Sequence, residues 1–201
     1  SADNTKLDGI EASATADQTA AQIKSHVTLQ TTATENYGLG SGAVNSITTG
    51  DYNLGFGQNA GTAITEGSRN IAIGYNSGDA ITTGTNNIAI GYNALTTTTT
   101  ASDNTAVGKD ALYSNSTGTR NTAIGAYSLD ANTTGSYNVG VGNFTLTTNT
   151  TGSDNTALGE DALDANISGN ENVAVGRMAL QANTANYNTA VGHTALAANT
   201  S

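Results

Sequence analysis

One unit of 17 residues governs this chain. The segment Asn70 to Leu95 reads "NIAIGYNSGDAITTGTNNIAIGYNAL", and its opening "NIAIGYN" returns 17 residues later. Aligning the chain on the Asn ahead of each such motif gives Asn36, Asn53, Asn70, Asn87, Asn104, Asn121, Asn138, Asn155, Asn172 and Asn188. Successive intervals are 17 eight times and then 16, so ten copies fill residues 36–201. A fixed period of this size belongs to solenoids and stacked arrays, in which each unit packs on its neighbours. A 17-residue unit is too short for a pair of helices, and no "GGxGxDxUx" nonapeptide is present to build a calcium-loaded β-roll.

With that Asn as position 0, each unit has a physical reading. Position 1 is Tyr, Leu, Ile, Val or Thr, and position 2 is always Ala or Gly. Position 3 is always bulky: Leu39, Phe56, Ile73, Ile90, Val107, Ile124, Val141, Leu158, Val175 and Val191. Such a triplet predicts a short strand with large residues on one face and a small one on the other. Position 4 is always Gly, namely Gly40, Gly57, Gly74, Gly91, Gly108, Gly125, Gly142, Gly159, Gly176 and Gly192. We expect a turn of positive φ there.

Position 8 is Leu in the last seven units but Val44, Gly61 and Gly78 in the first three. Those three carry Ile47, Ile64 and Ile81 at position 11, where most Leu units carry Asn. Bulk that moves by three places while its total is kept is the mark of a packed core. A disordered tract of the same composition has no reason to do this. The remainder, typically "xxNTTGSx", is turn chemistry with a recurring Gly at position 14. The one missing residue falls in this loop, within "LQANTANYN", where deletions are tolerated. We therefore expect two short strands plus turns per coil, with coils about 4.8 Å apart in a rod roughly 48 Å long. The position-0 Asn side chains should stack as an amide ladder.

A single coil has few bulky side chains to bury against the entropy of ordering its backbone. We therefore expect identical chains to pack side by side, brought close through the small residues at position 2. Composition narrows the other partners. The chain has 6 Lys+Arg against 16 Asp+Glu and a formal net charge of −10, which argues against nucleic acid. No run of 18 apolar residues exists to span a membrane, and no signal peptide opens the chain. The absence of Cys excludes disulfides and thiolate metal sites.

No catalytic constellation stands out. His26 and His193 are the only histidines and read as surface residues, with no Ser/His/Asp or Cys/His set to join. Asp154, Glu160, Asp161 and Asp164 read as a solvated face, because clustered carboxylates alone lack the oxygen cage calcium needs. The "GxG" fragments sit outside any strand-to-helix phosphate loop. The Thr96–Thr100 tract suggests a lattice-matching array, but position 1 mixes Thr with Ile, Val, Leu and Tyr. Tyr75 and Tyr92 share position 5; their rings either contact glycans or shield neighbouring coils. We expect no catalytic residues, no cofactor and no metal.

The repeats "NIAIGYNAL", "NTAIGAYSL" and "NVAVGRMAL" resemble the "NSVAIG"-type units in the YadA-like heads of trimeric autotransporter adhesins. They are closer still to the "GNTAIGYNAL" arrays of phage tail fibres. The resemblance covers residues 36–201. It implies an all-β, left-handed parallel β-roll or β-solenoid of ten 17-residue coils, homotrimeric, with the large motif residues inside each roll. Residues 1–35 form a separate small module. Their "NTKLDGIEASATADQTAAQIKSHV" resembles the "KLDGIEAGATADQTAAEIK" module of phage tail fibres, notably cyanophage fibres, with Ala12–Ser13 in place of "AG". By its own chemistry, Thr15 or Asp17 caps a short helix through Ala20 to His26, after an extended or turn segment from Lys6 to Ser13.

These readings together lead us to expect a non-enzymatic segment of a viral tail fibre. It would sit in the virion, join other fibre or tail proteins, and serve attachment to host surface polysaccharide. The alternatives are the head of a bacterial trimeric surface adhesin and a polysaccharide depolymerase tail spike. The latter needs paired carboxylates at fixed separation in a groove, and the sequence shows none. A first residue of Ser1 and an ending in mid-pattern at "AANTS" lead us to expect a fragment with more chain beyond it.

Overall fold

The computed structural model describes residues 27–29 and 35–199. The expected helix through Ala20 to His26 and the segment Lys6 to Ser13 lie outside these residues. Among the described residues, eleven three-residue strands form one sheet in chain order. They are β1 (Val27–Leu29), β2 (Tyr37–Leu39), β3 (Leu54–Phe56), β4 (Ile71–Ile73), β5 (Ile88–Ile90) and β6 (Thr105–Val107). Then follow β7 (Thr122–Ile124), β8 (Val139–Val141), β9 (Thr156–Leu158), β10 (Val173–Val175) and β11 (Thr189–Val191). From β2 to β11 the pairing is parallel and in repeat register, as in Ala72 opposite Ala89 and Ala89 opposite Ala106. The fold is an all-β parallel solenoid, with no helix among the described residues. β1 runs antiparallel to β2 and covers that edge of the sheet.

The sequence pattern predicts two strands per coil; the structure forms one, followed by a run of turns. The cause is backbone conformation at positions 6 and 8. Asn93 and Leu95 both take φ 53°, and Asp110 and Leu112 take 54° and 50°. Left-handed residues cannot continue an extended strand. A bulky side chain there costs roughly 1–2 kcal/mol, which burial of a Leu at about 1.5–3 kcal/mol offsets. This half of the coil is still bonded along the axis: Leu95 N–H donates to Ala111 O at 3.1 Å and Leu129 N–H to Thr145 O at 2.9 Å.

The facing of the strand is also the reverse of the expectation. Position 2 points into the coil, and Ala72, Ala89, Ala106 and Ala123 are fully buried. Leu39, Phe56, Ile73, Ile90, Val107, Ile124, Val141, Leu158, Val175 and Val191 point outward, half-buried or exposed, with Phe56 51% exposed. They are not the interior of the roll, and the small residues are not an outer face for a second chain. The interior is too thin for anything larger. A Cβ added to Gly38 would sit 2.7 Å from both Ala43 O and Val44 Cγ2, across the coil. That space is taken by small residues at position 7 and by the large residue at position 8.

The exchange of bulk between positions 8 and 11 holds in three dimensions. Val44, Ile47, Ile64, Ile81, Leu95, Leu112, Leu129, Leu146, Leu163 and Leu180 form one continuous buried cluster. Cβ atoms built on Gly61 and Gly78 would meet Ile64 Cδ1 at 2.8 Å and Ile81 Cδ1 at 3.0 Å. Isoleucine from position 11 thus occupies the volume that leucine fills elsewhere.

Asparagine ladders tie the coils together. Asn53 donates its backbone N–H (2.8 Å) and its Nδ2 (2.9 Å) to Asn36 Oδ1, and its Nδ2 also to Gly67 O of its own coil (2.8 Å). The same three bonds recur at Asn70, Asn87, Asn104, Asn155 and Asn172, with Ala101 O the carbonyl acceptor for Asn87 and Ala185 O that for Asn172. The backbone donation continues through Asn121, Asn138 and Asn188. A second ladder at position 11 links Asn132, Asn149 and Asn166 Nδ2 to Oδ1 of Asn115, Asn132 and Asn149. The position-14 carbonyl joins the two: Gly135 O accepts from Asn121 and Asn132 Nδ2 at 2.8 and 3.0 Å. The deletion after Leu180 interrupts the second ladder. Asn183 Nδ2 donates to Ala185 O, and Asn166 Oδ1 is left buried without a partner.

The position-4 glycines take φ between 125° and 139°, as the sequence requires of a turn. Backbone strain is only half of the constraint. A Cβ on Gly91 would lie 2.4 Å from Gly108 O of the next coil.

Replacing Asn87 by Ala removes donors to Asn70 Oδ1 and Ala101 O and the acceptor for Asn104 N–H. We predict a loss of about 2–4 kcal/mol in denaturant unfolding at fixed protein concentration. Exposed Thr83→Ala should cost less than about 0.5 kcal/mol.

Candidate functional site

Three features face solvent. The largest is the outward strand face. Positions 1 and 3 bring Tyr37, Leu54, Ile71 and Ile88 into line with Leu39, Phe56, Ile73 and Ile90, and the alignment runs on to β11. Thr at position 1 interrupts the apolar character at Thr105, Thr122, Thr156 and Thr189, but position 3 is apolar throughout. No ionisable group but the Tyr37 phenol lies in these two columns. An apolar stripe along ten coils is longer than the scattered exposed hydrophobics of an ordinary monomer.

The second feature is aromatic stacking along the axis. Tyr75 and Tyr92 stack with centroids 5.4 Å apart at 11°, and Tyr127 and Phe144 at 5.2 Å and 2°. Stacking follows from coil spacing: identical columns place rings one coil apart. Lys109 Nζ lies 4.8 Å over the Tyr127 ring and donates to its hydroxyl. Arg120 sits likewise over Tyr137. Tyr75 and Tyr92 therefore shield one another on one face each. Tyr92 is still 51% exposed, so glycan contact through its remaining surface stays geometrically open.

The third feature is a shallow groove of about 290 Å³ lined by Asn93, Asp110, Tyr113, Tyr127 and Asp130. Sequence reading missed it, because its residues come from positions 6 and 9 of three successive coils. Asn93 Nδ2 donates to Asp110 Oδ1 at 3.1 Å, and Lys109 Nζ lies 3.7 Å from Asp110 Oδ2. Asp130 Oδ1 is buried without a partner. Burial pushes the Asp130 carboxyl above the ordinary carboxylate range, and the charge of Asp110 adds to the effect. Asp79 and Asp164, which share position 9, are also raised by burial.

The acidic set Asp154, Glu160, Asp161 and Asp164 does not converge. Among the described residues no group of three or more acidic or histidine side chains could hold a metal ion. Glu160 is paired with Arg177 at 2.9 Å, and Asp154 lies beyond the other end of the strand. His193 is exposed at position 5; His26 lies outside the described residues. No known family model, no curated protein and no solved structure matches the chain.

The raised carboxyls give a signed pH dependence. A folded-state value above the unfolded one means that the folded chain binds more protons, so these groups favour folding as pH falls and cost stability as pH rises through the folded value. We expect Asp130→Asn to raise the melting temperature at pH 7. The gain should vanish at about pH 3, below the ordinary Asp value near 3.9, in paired calorimetric scans.

Proposed function

We propose that residues 36–201 are one strand of a homotrimeric, left-handed β-roll that serves as a non-enzymatic segment of a phage tail fibre. The single observation that carries the assembly is the outward apolar face. The solenoid fills its own interior, yet presents bulky side chains in one stripe along the described coils. Burying them against equivalent stripes removes apolar surface from water at about 25 cal/mol per Å². A uniform rod has the same face at every level, so the most economical partner is another copy of itself.

The viral setting rests on the sequence likeness of "KLDGIEASATADQTAAQIK" to tail-fibre modules, which the repeat alone does not distinguish from bacterial adhesin heads. In this reading the segment sits in the virion, joins other fibre proteins, and projects or presents host recognition. The exposed rings of Tyr75 and Tyr92 are the surface we assign to polysaccharide contact, and the chain does no chemistry on it.

Light scattering after gel filtration should give three times the chain mass of 20.1 kDa. Ile90→Asp, on the outward face, should yield a smaller species with the circular dichroism of the parent. A monomeric parent would refute the assembly. Probing an array of bacterial surface polysaccharides should find ligands whose binding falls at least about 10-fold, some 1.4 kcal/mol, in Tyr75→Ala/Tyr92→Ala. Incubation with a bound polysaccharide should release no reducing ends.

A further inference from the structure

The groove at Asp110 and Asp130 lies on the wall of the coil opposite the outward strand. Ala111 and Leu112 are fully buried between Asp110 and Tyr113, and Ser128 and Leu129 between Tyr127 and Asp130. A Cβ on Gly38 of the strand would meet Ala43 O and Val44 Cγ2, the same positions 7 and 8, across the coil. With positions 7 and 8 turned toward the strand, the side chains at 6 and 9 project from the far wall. The stripe proposed to meet sister chains is on the other side, so the groove stays open to solvent in that assembly.

The groove exists because bulk changes column between coils. Position 6 is Asn at Asn59, Asn76 and Asn93 but aromatic at Tyr127 and Phe144. Position 9 is Thr at Thr62, Thr96 and Thr147 and aromatic only at Tyr113. Tyr113 therefore stands on one side and Tyr127, one coil further on, on the other, with Asn93, Asp110 and Asp130 completing the lining. Tyr127 is held in place by stacking on Phe144 at 5.2 Å and by Lys109 over its ring. Tyr113 is 40% exposed, and its ring has no stacking or cationic partner among the described residues.

An open aromatic face beside carboxylates and an amide suits a sugar. The C–H side of a pyranose lies on the ring, while its hydroxyls donate to carboxylates and accept from the amide. Asn93 Nδ2 spends one proton on Asp110 Oδ1 at 3.1 Å, and Asp130 Oδ1 has no hydrogen-bond partner. The volume of about 290 Å³ holds little more than a sugar ring with its substituents. Charge narrows the class. Lys109 is the one cation beside two carboxylates, and it is already bonded to the Tyr127 hydroxyl and lies 3.7 Å from Asp110. An acidic substituent would be repelled here, which is how a site rejects a wrong ligand.

We infer that this groove is a saccharide subsite that takes a sugar residue without acidic substituents. The inference rests on the proposed polysaccharide contact and extends it. Tyr92 and Asn93 are consecutive, so the Tyr75–Tyr92 stack leads into the groove along the axis. From the Asn70 coil to the Asn121 coil the track is about 14 Å long at the spacing of stacked strands, which matches a short oligosaccharide laid along the rod.

Thr is the residue that position 9 carries in intact coils elsewhere, so Tyr113→Thr and Asp130→Thr strip the groove with the fold kept. Asp164→Thr makes the same change outside it. The full chain and these variants, matched by circular dichroism and light scattering, are titrated with the polysaccharides that the parent binds on an array from bacterial surfaces. We expect those ligands to lack carboxylate, sulfate and phosphate groups. Affinity should fall at least about 10-fold in Tyr113→Thr and Asp130→Thr and stay at the parent value in Asp164→Thr. Parent-like binding in both groove variants, with loss in Tyr75→Ala/Tyr92→Ala, overturns the subsite while the polysaccharide contact stands. Equal loss in Asp164→Thr, or binding of acidic polysaccharides alone, also overturns it. A parent that binds no polysaccharide on the array overturns the polysaccharide reading itself, and the subsite with it.

Discussion

The structure depends on one repeated interaction, the buried asparagine that bonds to the asparagine of the preceding coil. Asparagine suits this role because one side chain carries both donors and an acceptor. At Asn70 the Oδ1 accepts from Asn87, while Nδ2 donates to Asn53 and to Gly84 O. Every polar atom of a fully buried amide is thereby used, and an amide left unbonded in that place would be costly. The ladder fixes coil spacing and register together, because a coil shifted by one residue would bury Arg69 or Ile71 where the amide belongs. Position-14 glycine belongs to the same device: its carbonyl accepts the amide, and at Gly135 an added Cβ would lie 2.2 Å from Gly152 O, whereas the Asn87 coil carries Ala101 there with the same carbonyl role.

That choice decides where the hydrophobic residues go. A ladder on one side and a leucine column on the other leave an interior one side chain thick, and alanine is the largest residue the strand turns inward. The bulky residues at positions 1 and 3 must then face out. What resembles waste in an isolated coil becomes a continuous surface when ten coils stack in register. The inward face of each strand thus serves stability along the axis, while the outward face is left open to solvent in the single chain.

Much of this was legible in the sequence. The period, the strand, the glycine turn, the amide stack and the exchange between Ile64 and Gly61 are all written as residue types at fixed spacing, and each has a direct steric or hydrogen-bonding meaning. The facing of the strand was not legible from alternation alone. An Ala between two Ile residues predicts two unlike faces but leaves open which is inside; that depended on the depth of the coil, set by residues across it such as Ala43 and Val44. The expected second strand failed because leucine accepts a left-handed backbone at position 8, as in Leu95, a conformation that its residue type disfavours. The groove around Asp130 joins different positions of neighbouring coils, so no window along the chain contains it. The loss of one residue after Leu180 was visible as a loop deletion, but its consequence, an orphaned Asn166 oxygen, needed the second ladder to be seen.

Side-chain amide hydrogen exchange at the ladder asparagines tests the central claim most directly. With the asparagine Nδ2 protons assigned by nuclear magnetic resonance, the account predicts that those of Asn70, Asn87 and Asn155 exchange only with unfolding of the coils, orders of magnitude more slowly than those of exposed Asn45. Fast exchange at these positions in a folded chain would show that the amides are not bonded from coil to coil, and would contradict the account.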